Sequence, residues 1–242
     1  MKRNESVVCV ILNYNDANTT LELLNNVKNY HCIDKIVVVD NKSTDDSLLT
    51  LKSVHIPKLV VLETNNNKGY SFALNVGAKY LIDEYKVCKI VISNSDIIIN
   101  SEKDLKTLIS DLSDEQVIVA PQVLEHGNNN RGWKLPTPFD DIMLNIPHYH
   151  LKYRQKHLLY SDNCYQAKVT KVDTVSGCFF LIMSKHLQNI NYFDDNVFLY
   201  YEENIFGFKT KQLRKTILVD NRVQIIHNHA VSIDKNLKQI KK

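Results

Sequence analysis

Four short apolar runs alternate with segments of helical periodicity in the first hundred residues. The runs occupy residues 7–12, 35–39, 59–62 and 87–92. They are too short for helices and rich in Val and Ile, which is typical of strands buried on both faces of a sheet. Apolar residues recur at helical spacing in 19–30, 48–51 and 70–85, and Ser43 or Thr44 can cap the second of these helices. The alternation predicts an α/β fold with a mostly parallel sheet flanked by helices.

The fourth run ends in the polar sequence Ser93-Asn94-Ser95-Asp96. Asp96 is therefore predicted at the carboxyl end of a buried strand, where open α/β sheets bind their ligands. An acid at such a position can also serve only to shape a turn, so both interpretations stay open at this point. In the loop that follows the third run, Gly69 can take a backbone angle that other residues resist.

The second half of the chain is less regular. A helix is predicted at 105–112, and a turn-rich loop at 126–133 that holds the only tryptophan is expected to be exposed. Residues 139–160 are assigned only as partly helical. A short aromatic helix at 196–208 carries Glu202 and Glu203. Strands are predicted at 117–120 (ended by Pro121), 168–173, 175–183 (broken at Ser176-Gly177), 216–219 and 223–226.

Composition narrows the class of protein. The chain has 242 residues, of which 44% are hydrophobic and 24% charged, as in ordinary globular proteins. A net charge of +3 is too small to indicate nucleic-acid binding. The five cysteines are odd in number and scattered, which favours a reducing cytosol over a disulfide framework or a zinc site. No apolar stretch approaches the roughly 20 residues of a membrane-spanning helix, so neither secretion nor membrane insertion is expected.

Polar clusters follow several of the predicted strands. They are Asn13 with Asn15 and Asp16, Asp40 with Asn41, Asn94 with Asp96, and Glu202 with Glu203. Parallel strands bring the first three clusters to one rim of the sheet, the usual position of a nucleotide. The chain has neither GxGxxG after its first strand nor a P-loop motif, which argues against both kinds of phosphate cradle. A carboxylate with neighbouring amides instead suits a divalent ion such as Mg²⁺.

Nine motifs, taken in order, resemble those of the inverting family 2 glycosyltransferases with the GT-A fold, in particular the rhamnosyltransferase-like and capsular polysaccharide members. The motifs lie at 10–15 (VILNYN), 38–47 (VVDNKSTDDS), 66–71 (NNKGYS), 75–77 (NVG), 94–96 (NSD), 175–178 (VSGC), 193–195 (FDD), 198–203 (FLYYEE) and His227. Their order and spacing are specific for the family, though not for any sugar.

The resemblance implies a single GT-A domain over 1–242. Its nucleotide-sugar-binding half spans 1–100, its smaller acceptor and catalytic half spans 101–232, and 233–242 is a basic tail. The implied reaction moves a hexosyl or deoxyhexosyl group from a UDP- or dTDP-sugar to a hydroxyl of a glycan or lipid-linked acceptor in surface polysaccharide synthesis. Mn²⁺ or Mg²⁺ is the implied cofactor and the cytoplasm the implied location, with a peripheral membrane contact of the tail left open.

The resemblance also assigns roles to individual residues. Asp40 would hydrogen-bond the pyrimidine base, and Asp96 would bind the metal and bridge it to the diphosphate. Asn94 stands where many members carry a first acid. His227 would be a further metal ligand, with His229 as its competitor. The donor nucleotide would be bound by Asn13, Asn15, Asp40, Asn41, Lys68, Gly69, Asn94 and Ser95.

Glu203 matches the acid that removes a proton from the acceptor hydroxyl. The family more often has Asp at this position, so the adjacent Glu202 remains a rival for the base. Arg131 and Trp133 are candidates for a lid or acceptor platform, because aromatic faces stack on sugar rings. Gly177 completes the predicted acceptor side.

Plainer interpretations of the same residues remain. Asp40-Asn41 can form an Asx turn, Glu202-Glu203 can be a solvated helix face, and His227 can be structural. The aromatic side chains near the two glutamates are expected in the core rather than on a sugar; they are Tyr200, Tyr201, Phe206 and Phe208. Two other functions are also open: a nucleotidyltransferase that makes nucleotide sugars, and a non-catalytic carbohydrate-binding relative.

Overall fold

A computed structural model describes residues 5–147 and 149–228. The strands are β1 (Ser6–Asn13), β2 (Lys35–Asp40), β3 (Leu59–Glu63), β4 (Cys88–Asn94), β5 (Ile97–Ile98), β6 (Gln116–Glu125), β7 (Asn128–Asn130), β8 (Val169–Val172), β9 (Phe179–Met183) and β10 (Thr216–His227). The helices are α1 (Ala17–Val27), α2 (Ser47–Lys52), α3 (Tyr70–Tyr85), α4 (Glu102–Asp111), α5 (Pro138–Leu144), α6 (His150–His157), α7 (Ser184–Asn189) and α8 (Glu202–Gln212), with a 3-10 turn at Asp162–Tyr165.

One mixed sheet contains all these strands. Its order is β3-β2-β1-β4-β9-β6-β10-β5, with β7 paired to β6 and β8 paired to β10. The first four strands are parallel, as predicted, whereas β9 runs antiparallel between β4 and β6. Helices flank this sheet, so the predicted α/β fold is confirmed.

Both faces of the sheet are buried. Along β1, Val7, Cys9 and Ile11 join one apolar cluster, which also contains residues of α1 and α4. The intervening Val8 and Val10 join the opposite cluster, which contains residues of α3 and α8. Alternate side chains of a strand point to opposite faces, so a run that is apolar at every position needs cover on both. Within the described residues, no helix is both long and apolar enough to cross a bilayer.

Two predicted strand boundaries were wrong. Strand β6 continues through Pro121 instead of ending there, and residues 216–227 form the single strand β10. The register between these strands shifts between Asp220 and Gln224, at the point where Pro121 lies opposite Asp220. Because proline has no N–H to donate, an irregularity in the partner strand lets both strands continue past it.

Two local predictions were also wrong. Helix α2 begins at Ser47, and its N-cap residue Asp46 makes no side-chain capping bond, so neither Ser43 nor Thr44 caps it. Of the four aromatic residues predicted in the core, only Phe206 is buried. The side chains of Tyr200, Tyr201 and Phe208 are exposed.

Gly69 precedes α3 with a φ of 100°. A Cβ at this position would lie 2.2 Å from the carbonyl oxygen of Phe198, whose backbone accepts the Tyr70 N–H. We expect Gly69→Ala to lower the free energy of unfolding by roughly 3 kcal/mol, because it combines a conformation nearly restricted to glycine with a backbone clash. Urea unfolding measures this change.

Gly127→Ala is the matched control. Gly127 also has a positive φ, of 78°, but an added Cβ would meet nothing within 4 Å. Its cost should be roughly 1 kcal/mol, the conformational part alone. Equal losses of stability in the two variants would show that the clash between the added Cβ and Phe198 costs nothing.

Candidate active site

The carboxyl ends of β1, β2 and β4 lie side by side at one rim of the sheet. Asn13 is in register with Asp40, and Leu12 is in register with Asn94. The structure therefore brings together the three polar clusters that were expected to meet at this rim.

Asp40 is the centre of a buried hydrogen-bond network at the rim. Its side chain is 0% exposed, and it accepts bonds from Asn13 Nδ2 (2.8 Å), the Ser43 N–H (2.9 Å) and Ser43 Oγ (2.6 Å). The Asn15 N–H donates to Ser43 Oγ at 2.9 Å, and the Thr44 N–H donates to Asn15 Oδ1 at 2.7 Å. A carboxylate has about four acceptor positions, so Asp40 keeps capacity for a further donor.

A second network holds the loop before α3. Asn41 is buried, and its Nδ2 donates to Asn67 Oδ1 at 2.9 Å and to the Gly69 carbonyl at 3.2 Å. The Gly69 N–H donates in turn to Asn67 Oδ1 at 3.1 Å. Lys68 is exposed, with its ammonium group 5.3 Å from the Phe72 ring centroid. The structure thus ties Asn41 and Gly69 together, whereas Lys68 lies against a side chain of α3.

Asn94, Ser95 and Asp96 complete the rim where β4 ends. Asp96 is 8% exposed, and its Oδ1 lies 3.1 Å from His227 Nε2. The pairing of β10 with β5, which starts directly after Asp96, brings these two residues together. Asn94 Oδ1 is buried and has no hydrogen-bond partner among the residues that the structure describes. His229, the alternative to His227, lies outside those residues.

His227 carries a strongly perturbed charge. Burial acts to lower its pKa, but hydrogen bonds and charge at Asp96 and Cys178 outweigh burial and raise the pKa to about 10. Its Nδ1 lies 3.5 Å from Glu125 Oε1. Asp96 and His227 therefore form a close buried pair at the end of β4.

The two adjacent glutamates open α8. Tyr200 and Tyr201, with φ of 67° and 73°, form a left-handed turn that leads into this helix. Glu203 Oε1 accepts the Gly177 N–H at 3.1 Å. Burial raises the pKa of Glu203, while its own backbone N–H and that of Gly177 act in the opposite direction. The result is an oriented carboxylate with increased proton affinity, which suits a general base.

Glu202 is the more deeply buried of the pair, with 8% exposure. Its Oε2 has no hydrogen-bond partner within the described part of the chain. Burial, followed by the charge of Glu203, raises its pKa from the usual 4.5 to about 7. Glu202 therefore binds a proton in the folded protein under conditions in which the unfolded chain has released it.

This difference makes stability depend on pH. Because the folded-state pKa is the higher one, the contribution of Glu202 is most favourable below about pH 4.5 and becomes unfavourable as pH rises towards 7. We expect Glu202→Gln to raise the free energy of unfolding at about pH 8 relative to about pH 5, by up to about 3 kcal/mol. Urea unfolding at the two pH values measures the effect, with the exposed Glu22→Gln as control. A pH-independent effect of Glu202→Gln would contradict the raised pKa.

Tyr70 belongs to the site, although no role was predicted for it from the sequence. Its hydroxyl donates to the Gly177 carbonyl at 2.7 Å. Burial raises the pKa of Tyr70 well above its usual range, and Cys178 and the acids of the site add to this effect. Tyr70 lies within the motif at 66–71, but only the fold reveals that it reaches Gly177, 107 residues further along the chain.

Arg154 is the second residue that sequence reasoning missed. It lies on α6, with its guanidinium carbon 5.8 Å from the Trp133 ring centroid. Its positive charge acts to lower the pKa of Glu203. No signal pointed to Arg154, because residues 139–160 have no regular periodicity.

The expectation of an exposed loop fails at Arg131, Gly132 and Trp133. Gly132 is buried, and Trp133 forms an antiparallel bridge with Thr174. The indole Nε1 donates to Asn204 Oδ1 at 2.9 Å, next to Glu203 on α8. These bonds satisfy backbone and side-chain polar groups that an exposed loop would leave to water. Residues 126–129 are exposed as expected.

Arg131 points to a different group of residues. It forms an ion pair with Asp162 at 3.0 Å, and its guanidinium carbon lies 4.9 Å from the Tyr165 ring centroid. Trp133 and Gly177 are therefore tied to α8 and the glutamates, whereas the described contacts of Arg131 run to the 3-10 turn.

The chain is similar to known proteins in both sequence and structure. The family model for glycosyl transferase family 2 matches residues 8–191. The low-salt glycan biosynthesis hexosyltransferase Agl10 of Haloferax volcanii is 24% identical over 227 residues, covering 92% of this chain and 67% of its own length.

Two solved structures share the fold. The mannosyltransferase PcManGT from Pyrobaculum calidifontis, in complex with GDP-Man and Mn²⁺, is 14% identical with a TM-score of 0.64, over 98% of this chain and 61% of its own. S. aureus TarS 1-349 in complex with UDP-GlcNAc is 17% identical with a TM-score of 0.63, over 91% of this chain and 58% of its own. The chain thus spans about 60% of the length of these two proteins, and the predicted GT-A fold is confirmed. The family match extends over most of the chain, from β1 to the end of α7, and the chain therefore belongs to glycosyl transferase family 2.

Proposed function

We propose that this glycosyltransferase moves a hexosyl or deoxyhexosyl group from a nucleoside diphosphate sugar to an acceptor hydroxyl, with inversion at the anomeric carbon. The observation that carries the proposal is that both backbone polar groups of Gly177 bind side chains of the site. Its N–H holds Glu203, and its carbonyl holds Tyr70 at the start of α3. The candidate base is thereby fixed relative to the rim that carries Asp40 and Asp96.

The rim suits a nucleotide sugar. The proposed partner of a pyrimidine N–H is Asp40, whose side chain is held by Asn13 and Ser43. Because Asp40 is fully buried, the base reaches it only when the residues that cover it move. The solved structures with this fold contain UDP-GlcNAc or GDP-Man, which supports a donor of the same chemical class. We favour UDP or dTDP over GDP because the family resemblance assigns Asp40 to a pyrimidine base.

A divalent cation fits the end of β4. Asp96 would supply a carboxylate and the orphaned Asn94 Oδ1 an amide oxygen, and His227 would supply an imidazole once the arriving cation has displaced the proton between its Nε2 and Asp96. Among the described residues, no three His, Cys, Asp or Glu side chains are grouped to hold a metal by themselves. A site with so few protein ligands suits Mg²⁺ or Mn²⁺, because such an ion is commonly held by one or two carboxylates together with substrate phosphates and water. When bound, the ion would neutralise charge on the departing diphosphate.

Glu203 is the proposed general base. Proton transfer from the acceptor hydroxyl to its carboxylate accompanies attack on the anomeric carbon, and a single displacement inverts that carbon. The Gly177 N–H orients the carboxylate, and burial raises its pKa towards the range in which a base is effective. Trp133, fixed next to α8, offers an aromatic face for the acceptor sugar.

The proposed acceptor is a glycan or a lipid-linked sugar of surface polysaccharide synthesis. The relative from Haloferax volcanii is named as a hexosyltransferase of glycan biosynthesis, which supports this class of acceptor. The four buried cysteines are free thiols, and we keep the cytoplasm as the predicted location.

A donor panel tests the function. UDP-, dTDP- and GDP-sugars are incubated with the protein and Mn²⁺, and release of nucleoside diphosphate is followed with and without simple sugar acceptors. We expect release from a UDP- or dTDP-sugar and an inverted product by NMR. Pyrophosphate-dependent exchange would instead indicate a nucleotidyltransferase, and donor binding without any turnover would indicate a non-catalytic relative.

A further inference from the structure

Helix α5 differs from an ordinary surface helix because its large apolar side chains are exposed to solvent. None of its seven residues, all of which the structure describes, is buried. Phe139 and Ile142 are 63% and 65% exposed, and Ile146 just beyond the helix is 40% exposed. Their spacing of three and four residues puts them on one face, which points away from the protein.

The acids of α5 face inward instead. Asp140 accepts bonds from Thr137 and from the Tyr153 hydroxyl, the latter at 2.7 Å. Asp141 accepts the Tyr201 hydroxyl at 2.6 Å. Met143 and Leu144 are half-buried as well, so the helix contacts the protein through acids and apolar side chains together. An ordinary surface helix turns a polar face outward, whereas α5 turns Phe139 and Ile142 outward, which indicates that something apolar covers this face.

Helix α6 adds positive charge to the same region. Leu151 is 68% exposed, and Lys152 and Lys156 are exposed one helical turn apart. Residues 134–159 carry four Lys or Arg against two Asp. Both Asp accept bonds from tyrosine hydroxyls, and Lys134 and Arg154 lie over aromatic rings of the protein. The charge that faces outward on α6 is therefore that of Lys152 and Lys156, and it is positive. We call Phe139, Ile142, Ile146, Leu151, Lys152 and Lys156 the docking surface.

We propose that the docking surface binds the face of an anionic phospholipid bilayer. Exposed apolar side chains next to lysines match the boundary between acyl chains and negatively charged headgroups. In a symmetric dimer the same surface would meet itself and bring lysine against lysine, which disfavours a second copy as the occupant. Arg154, on the same helix as the two lysines, contacts Trp133 of the candidate site. Binding would thus hold the site close to the membrane plane.

The test measures sedimentation of the full chain with vesicles of phosphatidylcholine, with or without phosphatidylglycerol. We expect binding only when phosphatidylglycerol is present. Phe139→Ser with Ile142→Ser should weaken binding by on the order of tenfold or more, because two apolar anchors are lost. Lys152→Ala and Lys156→Ala should each weaken binding about fivefold and reduce its sensitivity to salt.

Leu49→Ser is the matched control, since Leu49 is 71% exposed on the distant helix α2 and should leave binding unchanged. The proposal is overturned if the wild type ignores phosphatidylglycerol, or if the paired serine variant binds as tightly as the wild type, which would assign binding to another segment such as the basic tail. It is also overturned if the serine variant loses concentration-dependent self-association instead of vesicle binding. Donor turnover in solution is assayed in parallel, so failure of the proposed reaction is distinguishable from failure of this surface.

Discussion

Glu203→Gln is expected to lower kcat for sugar transfer by about 100- to 10,000-fold, the usual contribution of a general base. The amide keeps the shape of the side chain and can still accept the Gly177 N–H, but it cannot take the acceptor proton. Donor affinity should stay close to that of the wild type, because Glu203 acts on the acceptor side. Nucleoside diphosphate release with a turnover-competent acceptor measures kcat, and a thermal shift with donor measures binding.

Glu202→Gln is the comparison that identifies the base. We expect this variant to keep most of its turnover, since Glu202 is less exposed than Glu203 and its Oε2 is buried. In the wild type, kcat should fall at low pH with an apparent pKa above that of an ordinary glutamate, because burial raises the pKa of Glu203. Loss of turnover in Glu202→Gln together with a mild effect of Glu203→Gln would exchange the two roles.

Asp96→Asn is expected to abolish the effect of Mn²⁺ on donor binding and to lower kcat by on the order of 100- to 1,000-fold. The substitution removes the carboxylate that is proposed to bind the metal. It also removes the carboxylate closest to the buried His227 ring and leaves only Glu125, 3.5 Å from Nδ1, so the free energy of unfolding should fall by roughly 3 kcal/mol. Calorimetric titration of donor with and without Mn²⁺ measures the first effect, and urea unfolding the second.

Two further variants separate stability from metal binding. Asp96→Asn combined with His227→Gln removes both charges and should recover much of the stability without recovering the Mn²⁺ effect. Asn94→Asp supplies an acid where many family members carry one and should tighten metal-dependent donor binding. Unchanged Mn²⁺ dependence in Asp96→Asn, with the exposed Asp83→Asn as control, would remove Asp96 from the metal site.

Local patterns were sufficient for much of the first half of the fold. Helix α3 has the predicted bounds, because one apolar stripe lies between a glycine with positive φ and the next strand. Failures arose where distant segments decide the outcome. Pro121 is accommodated by an irregularity in β10, about a hundred residues later, and Ser43 bonds to Asp40 instead of capping α2.

The candidate site shows the same division. The approach of Asn13, Asp40 and Asn94 could be predicted, since parallel strands end at a common rim. The bonds from Tyr70 to Gly177 and from Trp133 to Asn204 could not, because they join elements whose positions depend on the whole sheet. The roles of Glu203, Asp96 and His227 come from the family resemblance, and the variants described above test them.

The position of β9 between β4 and β6 has a consequence for how the chain folds during synthesis. The parallel strands of the first hundred residues can pair as they leave the ribosome, but β4 keeps one bare edge until residues 179–183 are made. That edge belongs to an apolar strand of seven residues, and unpaired strand edges recruit other chains. A fragment cut near residue 100 should therefore aggregate instead of forming a nucleotide-binding module. The two halves predicted from the sequence share one sheet, so we expect them to fold together.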